Sequence, residues 1–145
     1  MPRHELTQAD RQQVAQRVAE RLEKVKAVVF AYLFGSFAEG RAFEDVDVAV
    51  FLDSAEIAGS DLLAFQLDLA AALEEAAGLP VDVVVLNDAP LSLRMAAVCG
   101  HPVLSRDEPR RLSYVERTCL EAMDMAYMAR QSLRDLLGSR GSGGA

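Results

Sequence analysis

The stretch AVVFAYLFGSFAEGRAFEDVDVAVFLD (27–53) decides the fold. Ala27 to Phe34 are continuously apolar, rich in β-branched and aromatic side chains, and stop at Gly35-Ser36. That is the pattern of a strand buried on both faces, at the centre of a sheet. A short helical turn and loop over 37–44 leads to a second strand over 45–53. There Asp45, Asp47, Ala49 and Phe51 alternate with Val46, Val48, Val50 and Leu52, the two-residue period of a pleated strand.

Outward from this core, the flanks read as helices and further strands. Residues 8–26 place Val14, Val18, Leu22 and Val25 on one helical stripe with charges on the other faces. Thr7 or Asp10 can cap its start. An Ala/Leu-rich helix over 60–77 stops at Gly78 ahead of Pro80, and VDVVVLN (81–87) is a third strand. A short helix (91–100), a short strand (102–105) and a long helix from about 109 to 137 follow. The tail GSRGSGGA (138–145) has the composition of a flexible segment. The expected architecture is α/β (α+β), with about four strands covered by helices in one domain, residues 1–137, and a flexible tail, 138–145.

With 145 residues the chain has room for one core and little else. It carries 15 basic and 22 acidic side chains, a net charge of −7, which is the wrong sign for a dedicated nucleic-acid binder. The charge is concentrated: residues 35–90 hold twelve acids and one base, Arg41. Two cysteines, Cys99 and Cys119, are too few for a disulfide framework and read as free, largely buried thiols. His4 and His101 stand apart from any ligand-like neighbour. No apolar h-region follows the first residues and no run is long enough to span a bilayer, so the expected compartment is the cytoplasm, with no membrane contact.

Several of the acids sit inside apolar runs, where solvation does not explain them. Asp45 and Asp47 are two apart on one strand and leave the same face, with carboxyl groups within roughly 7 Å. Buried without partners they cost several kcal/mol or take up protons. A divalent cation resolves the conflict, because carboxylate oxygens on a rigid strand suit Mg²⁺. Asp82 repeats the oddity in the third strand, and if the two strands are neighbours all three carboxylates frame one site. Gly35-Ser36 adds a turn at which backbone N–H groups and a hydroxyl can hold an anion. For an isolated Asp-x-Asp or Gly-Ser the ordinary reading is a strand end or a cap. Together they are the equipment of phosphoryl or nucleotidyl transfer.

GSFAEGRAFEDVDVAV (35–50) resembles the nucleotidyltransferase signature: a Gly-Ser turn, a loop, and Asp-x-Asp on the next strand. VDVVVLN (81–87) resembles the strand that carries the third acid of that superfamily. The short chain is most similar to the minimal nucleotidyltransferases, the antitoxin partners of HEPN-type RNase toxins, over residues 10–135. The resemblance implies a nucleotidyltransferase fold with a mixed sheet, ATP as donor, Mg²⁺ as cofactor, and a tyrosine of the toxin as AMP acceptor. It also implies roles. Gly35 and Ser36 would hold the nucleotide phosphates, Asp45 and Asp47 would bind the metal, and Asp82 would assist the metal or deprotonate the acceptor. Three departures stand out. The loop between Ser36 and Asp45 is shorter than is usual in that group, Glu39 stands where an Arg is common, and Glu44 stands where Ser is usual. Arg41 reads either as a substitute phosphate contact or as an ordinary solvent-exposed loop residue.

Three functions remain in view: AMP transfer to the toxin, neutralisation of the toxin by binding alone, and nucleotidyl transfer to a small molecule such as an antibiotic. The third generally needs an acceptor-binding domain that this length barely allows. The long C-terminal helix reads either as a broad core-packing helix or as a binding element, because Leu112, Val115, Cys119, Ala122, Ala126, Leu133 and Leu136 form one core stripe. That leaves Tyr114, Met125, Met128 and Leu137 to face a partner or a second copy of the chain in a homo-oligomer.

Overall fold

The computed structural model describes residues 3–143, with side chains through Gly138. The order of elements is α1 (Gln8–Glu23), β1 (Val28–Phe34), α2 (Gly35–Ala38), β2 (Val46–Leu52), α3 (Ser54–Ile57), α4 (Leu62–Ala77), β3 (Val81–Val85), α5 (Leu91–Val98), β4 (His101–Ser105) and α6 (Glu108–Gly143). The four strands form one mixed sheet in the order β3-β2-β1-β4. β1 runs antiparallel to both β2 and β4, while β2 and β3 are parallel. As its composition demands, β1 is central and every residue in it is buried.

The alternation along β2 sorts the core into two layers. Val46, Val48, Val50 and Leu52 pack with Val14, Val18 and Leu22 of α1 and with Leu69, Leu73 and Ala77 of α4. Ala49 and, half-buried, Phe51 point the other way, to Phe30, Tyr32, Leu86, Ala97 and Tyr114 under α5 and α6. The helix ends follow from local chemistry. The Thr7 hydroxyl accepts from the Asp10 N–H at 3.1 Å, and Asp61 accepts from the N–H groups of Leu63 and Ala64. Gly78 closes α4 in the left-handed conformation at φ 72°, ahead of Pro80.

The C-terminal helix differs from the expected one in its buried face. α6 continues to Gly143, into the stretch whose composition suggests a flexible tail; the last two residues lie outside the described residues. Its buried face is rotated from the expected stripe. Tyr114 and Thr118 are buried, whereas Leu112, Leu133 and Leu136 are exposed. The cause is Tyr114, whose ring packs edge-on against Phe30 and Phe51 while its hydroxyl donates to Leu86 O at 2.9 Å. That burial pushes its pKa up to about 12. Both cysteines are free, but Cys99 is exposed rather than buried. No helix among the described residues is long and apolar enough to cross a membrane.

Candidate active site

The site lies where β1 ends and β2 begins. β1 stops at Phe34 and Gly35 opens α2 with φ 75°, a conformation glycine adopts without a side-chain clash. A second constraint acts at the same residue: a Cβ on Gly35 would collide with the Asp47 Oδ2 oxygen. The backbone of the turn therefore sits directly against the Asp47 carboxylate, and only glycine allows it. Ser36 follows on α2 and lines a cleft of about 330 Å³ together with Arg3, Arg41, Glu44, Asp45 and Asp47.

The parallel pairing of β2 with β3 sets Asp47 opposite Asp82, so both carboxylates rise from the same face of adjacent strands. That is the neighbour relation on which the sequence argument for Asp82 depended. Asp45 does not share the strand; it lies in the bend one residue before β2, exposed, at the mouth of the cleft. Half-burial, together with the charges of Asp82 and Asp45, raises the Asp47 pKa from 3.8 to about 6. Desolvation is the largest cause and like-charge repulsion adds to it. Asp45 and Asp82 thus both bear on the Asp47 carboxylate, but Asp82 lines the groove beside α4 rather than the cleft, and no three His, Cys, Asp or Glu side chains among the described residues close into a metal cage. An open set of hard oxygen donors around a half-buried carboxylate fits Mg²⁺. That ion keeps waters and takes substrate phosphates in place of a full protein shell.

Arg41 reaches the cleft with its guanidinium paired to Glu39; Nε donates to Glu39 Oε2 at 2.8 Å. Two basic residues that matter here were missed in the sequence. Arg3 comes to the cleft because His4 and Phe43 form an antiparallel bridge, with N···O distances of 2.7 and 3.1 Å. Nothing in the periodicity announces a single bridge. Arg11 is 92% buried beneath the loop: its guanidinium donates to Phe37 O and Arg41 O, both at 2.8 Å, and to Leu6 O at 3.2 Å. It also lies over the rings of Phe37 and Phe43. One α1 side chain therefore ties the start and the middle of the loop that connects the Gly-Ser turn to Asp45. A signal for it existed, since Arg11 precedes Val14 by three residues and so begins the apolar stripe it was read as lying outside.

Comparisons with known proteins bear on the family and the fold. The model of the polymerase beta nucleotidyltransferase family matches residues 16–109, which hold every carboxylate of the site and the Gly-Ser turn. No curated protein matches the chain. Among solved structures, the chain is similar to one from a complex of a tri-AMPylated Shewanella oneidensis HEPN toxin with its MNT antitoxin. The TM-score is 0.63 at 19% identity, over 88% of this chain and 98% of that one. It is also similar to one from a toxin–antitoxin complex with AMP-PNP, with TM-score 0.63, 21% identity, and 85% and 98% coverage. A mutant MntA–HepT toxin–antitoxin structure gives TM-score 0.65 at 20% identity, with the same coverage. At these identities the structures speak for a shared fold, a mixed four-stranded sheet with a long C-terminal helix. With the family model spanning well over half of its length, the chain belongs to the polymerase beta-type nucleotidyltransferases.

Proposed function

We propose that this protein is the antitoxin of a HEPN-type toxin–antitoxin pair and transfers AMP from ATP to a tyrosine hydroxyl of the toxin. The observation that carries the reading is the register of Asp47 with Asp82, closed on one side by the Gly35 backbone. The similarity to chains from complexes described with an AMPylated toxin and with AMP-PNP supports the choice of donor and acceptor.

In this reading Gly35 and Ser36 hold the nucleotide phosphates through the N–H groups of the turn and the Ser36 hydroxyl. Arg3 and Arg41 supply positive charge at the cleft mouth. Asp45, Asp47 and Asp82 would hold Mg²⁺, which when bound neutralises charge on the α-phosphate. Asp82 takes the proton of the acceptor hydroxyl, whose oxygen forms a bond to the α-phosphorus as the bond to pyrophosphate breaks. Arg11 fixes the loop that keeps turn and carboxylates in place. The test uses ATP labelled at the α-phosphate and a candidate HEPN toxin as acceptor. Label is expected on that protein with the wild-type chain and not with Asp47→Asn; equal labelling by both would defeat the assignment.

A second reading, neutralisation by binding without transfer, is favoured by one feature. Beyond Ala122 no described residue of α6 is buried, and Met123, Met125, Tyr127, Met128, Leu133, Leu136 and Leu137 are each more than half exposed. Surface of that kind marks a contact site for another protein. The two readings separate on the same assay, because binding alone silences the toxin without labelling it.

A further inference from the structure

β3 is an edge strand, and its outer edge is neither fully open nor fully closed. Leu86 N–H donates to Val50 O and Val46 N–H to Pro80 O, so the even-numbered residues of this segment face β2. Val81 and Val83 therefore turn their backbone groups outward. Two of those four groups are plugged from α4: Glu74 Oε1 accepts from Val81 N–H at 3.1 Å, and Gln66 Nε2 donates to Val83 O at 2.5 Å. The other two groups, Val81 O and Val83 N–H, belong to residues that line a groove of about 350 Å³ between the edge and α4 and are 6% and 2% exposed. They bracket Asp82.

In a parallel ladder, one residue that donates to the carbonyl before a position and accepts from the N–H after it lies opposite that position. A residue bonded to both Val81 O and Val83 N–H would thus stand in register with Asp82, its Cα about 4.8 Å away. Its side chain would rise from the face that carries Asp82 and Asp47. Its two neighbours in the chain would turn to the opposite face. On that side α4 presents Leu63 and Leu67, 64% and 62% exposed, with Ala70 behind them, all lining the groove. Backbone pairing with apolar contacts at alternate residues is how sheets accept an extended peptide.

We propose that the β3 edge is the docking site for the acceptor protein, which adds an extended segment as a fifth strand and so sets its hydroxyl-bearing residue beside Asp82. The inference rests on the transfer reading for the identity of that occupant. Gln66 and Glu74 then have a definite part: they block pairing at the flanking positions and leave one register open.

The test has two readouts on the 145-residue chain with a candidate HEPN protein as acceptor. Leu63→Asp/Leu67→Asp changes only exposed side chains. It is expected to keep the wild-type Tm and ATP affinity while raising KM for the protein acceptor at least about tenfold. In the wild-type complex, without ATP, hydrogen exchange of the Val83 amide is expected to slow. Unchanged exchange at Val83 overturns the docking site whatever the variant does, and so does an unchanged KM. A wild-type chain that binds the partner, protects Val83 and transfers no AMP defeats the transfer reading alone and leaves the docking surface standing.

Discussion

At the scale of single residues, Asp47 carries the account. Its pKa of about 6, against 3.8 for an ordinary Asp, means that the folded chain keeps this proton to higher pH than the unfolded chain does. The stability gained from that proton is complete below about pH 4 and is lost as pH rises through 6. Asp47→Asn removes the cost, so its Tm in the absence of metal is expected to match wild type near pH 4 and exceed it by a few degrees at pH 7.5. A Tm difference that shrinks with rising pH would contradict the assignment of charge. Arg11 gives a second expectation. Arg11→Met strips Phe37 O and Arg41 O of their donor, and is expected to cost about 2 kcal/mol in urea unfolding and to slow AMP transfer through the loosened loop. Asp47 and Asp82 could be picked out in the sequence because acids interrupting valine runs violate the strand pattern, and Asp45 by its two-residue spacing from Asp47. Arg11 is an equally sharp violation, of a helical stripe, but its partners are carbonyls, and carbonyls leave no mark in a sequence.

At the scale of elements, strands were easier to place than helix faces. β1 is apolar at every position and β2 at every position but Asp47, so burial follows largely from identity. α6 differs because its apolar residues outnumber the positions the core can cover. Which of them pack is then decided by the fit of one ring, Tyr114, between Phe30 and Phe51. Thr118 is buried beside it with no hydrogen-bond partner for its hydroxyl among the described residues. Thr118→Val replaces that oxygen by a methyl of similar size and is expected to raise stability by about 1 kcal/mol, checked by urea denaturation. Farther along, charge placed on the exposed arm, as in Met123→Lys/Met128→Lys, is expected to change stability by less than about 0.5 kcal/mol. Size-exclusion chromatography with light scattering would show whether the same change weakens partner capture or self-association.

At the scale of the whole molecule, the sheet order explains why so short a chain holds a complete set of groups. Parallel pairing of β2 with β3 brings together acids 35 residues apart, and antiparallel pairing of β1 with β2 delivers the Gly-Ser turn to the same end. The acidic middle of the sequence follows from this arrangement in part, because three of its twelve acids share one site. Gathering them without a counter-charge costs stability that a cation returns. Mg²⁺ is therefore expected to stabilise the wild-type chain, by about 2.7 kcal/mol at a hundredfold excess over its Kd, and to leave Asp45→Asn/Asp47→Asn unchanged. Equal Tm shifts in both proteins would place the cation elsewhere.

The measurement that bears most directly on the central claim is the intact mass of the HEPN partner after incubation with this chain, ATP and Mg²⁺. A gain of one or more AMP units, absent with Asp45→Asn/Asp47→Asn, is the expected result. An unchanged partner mass, with the toxin silenced in a stable complex, would contradict transfer and leave an antitoxin that works by binding.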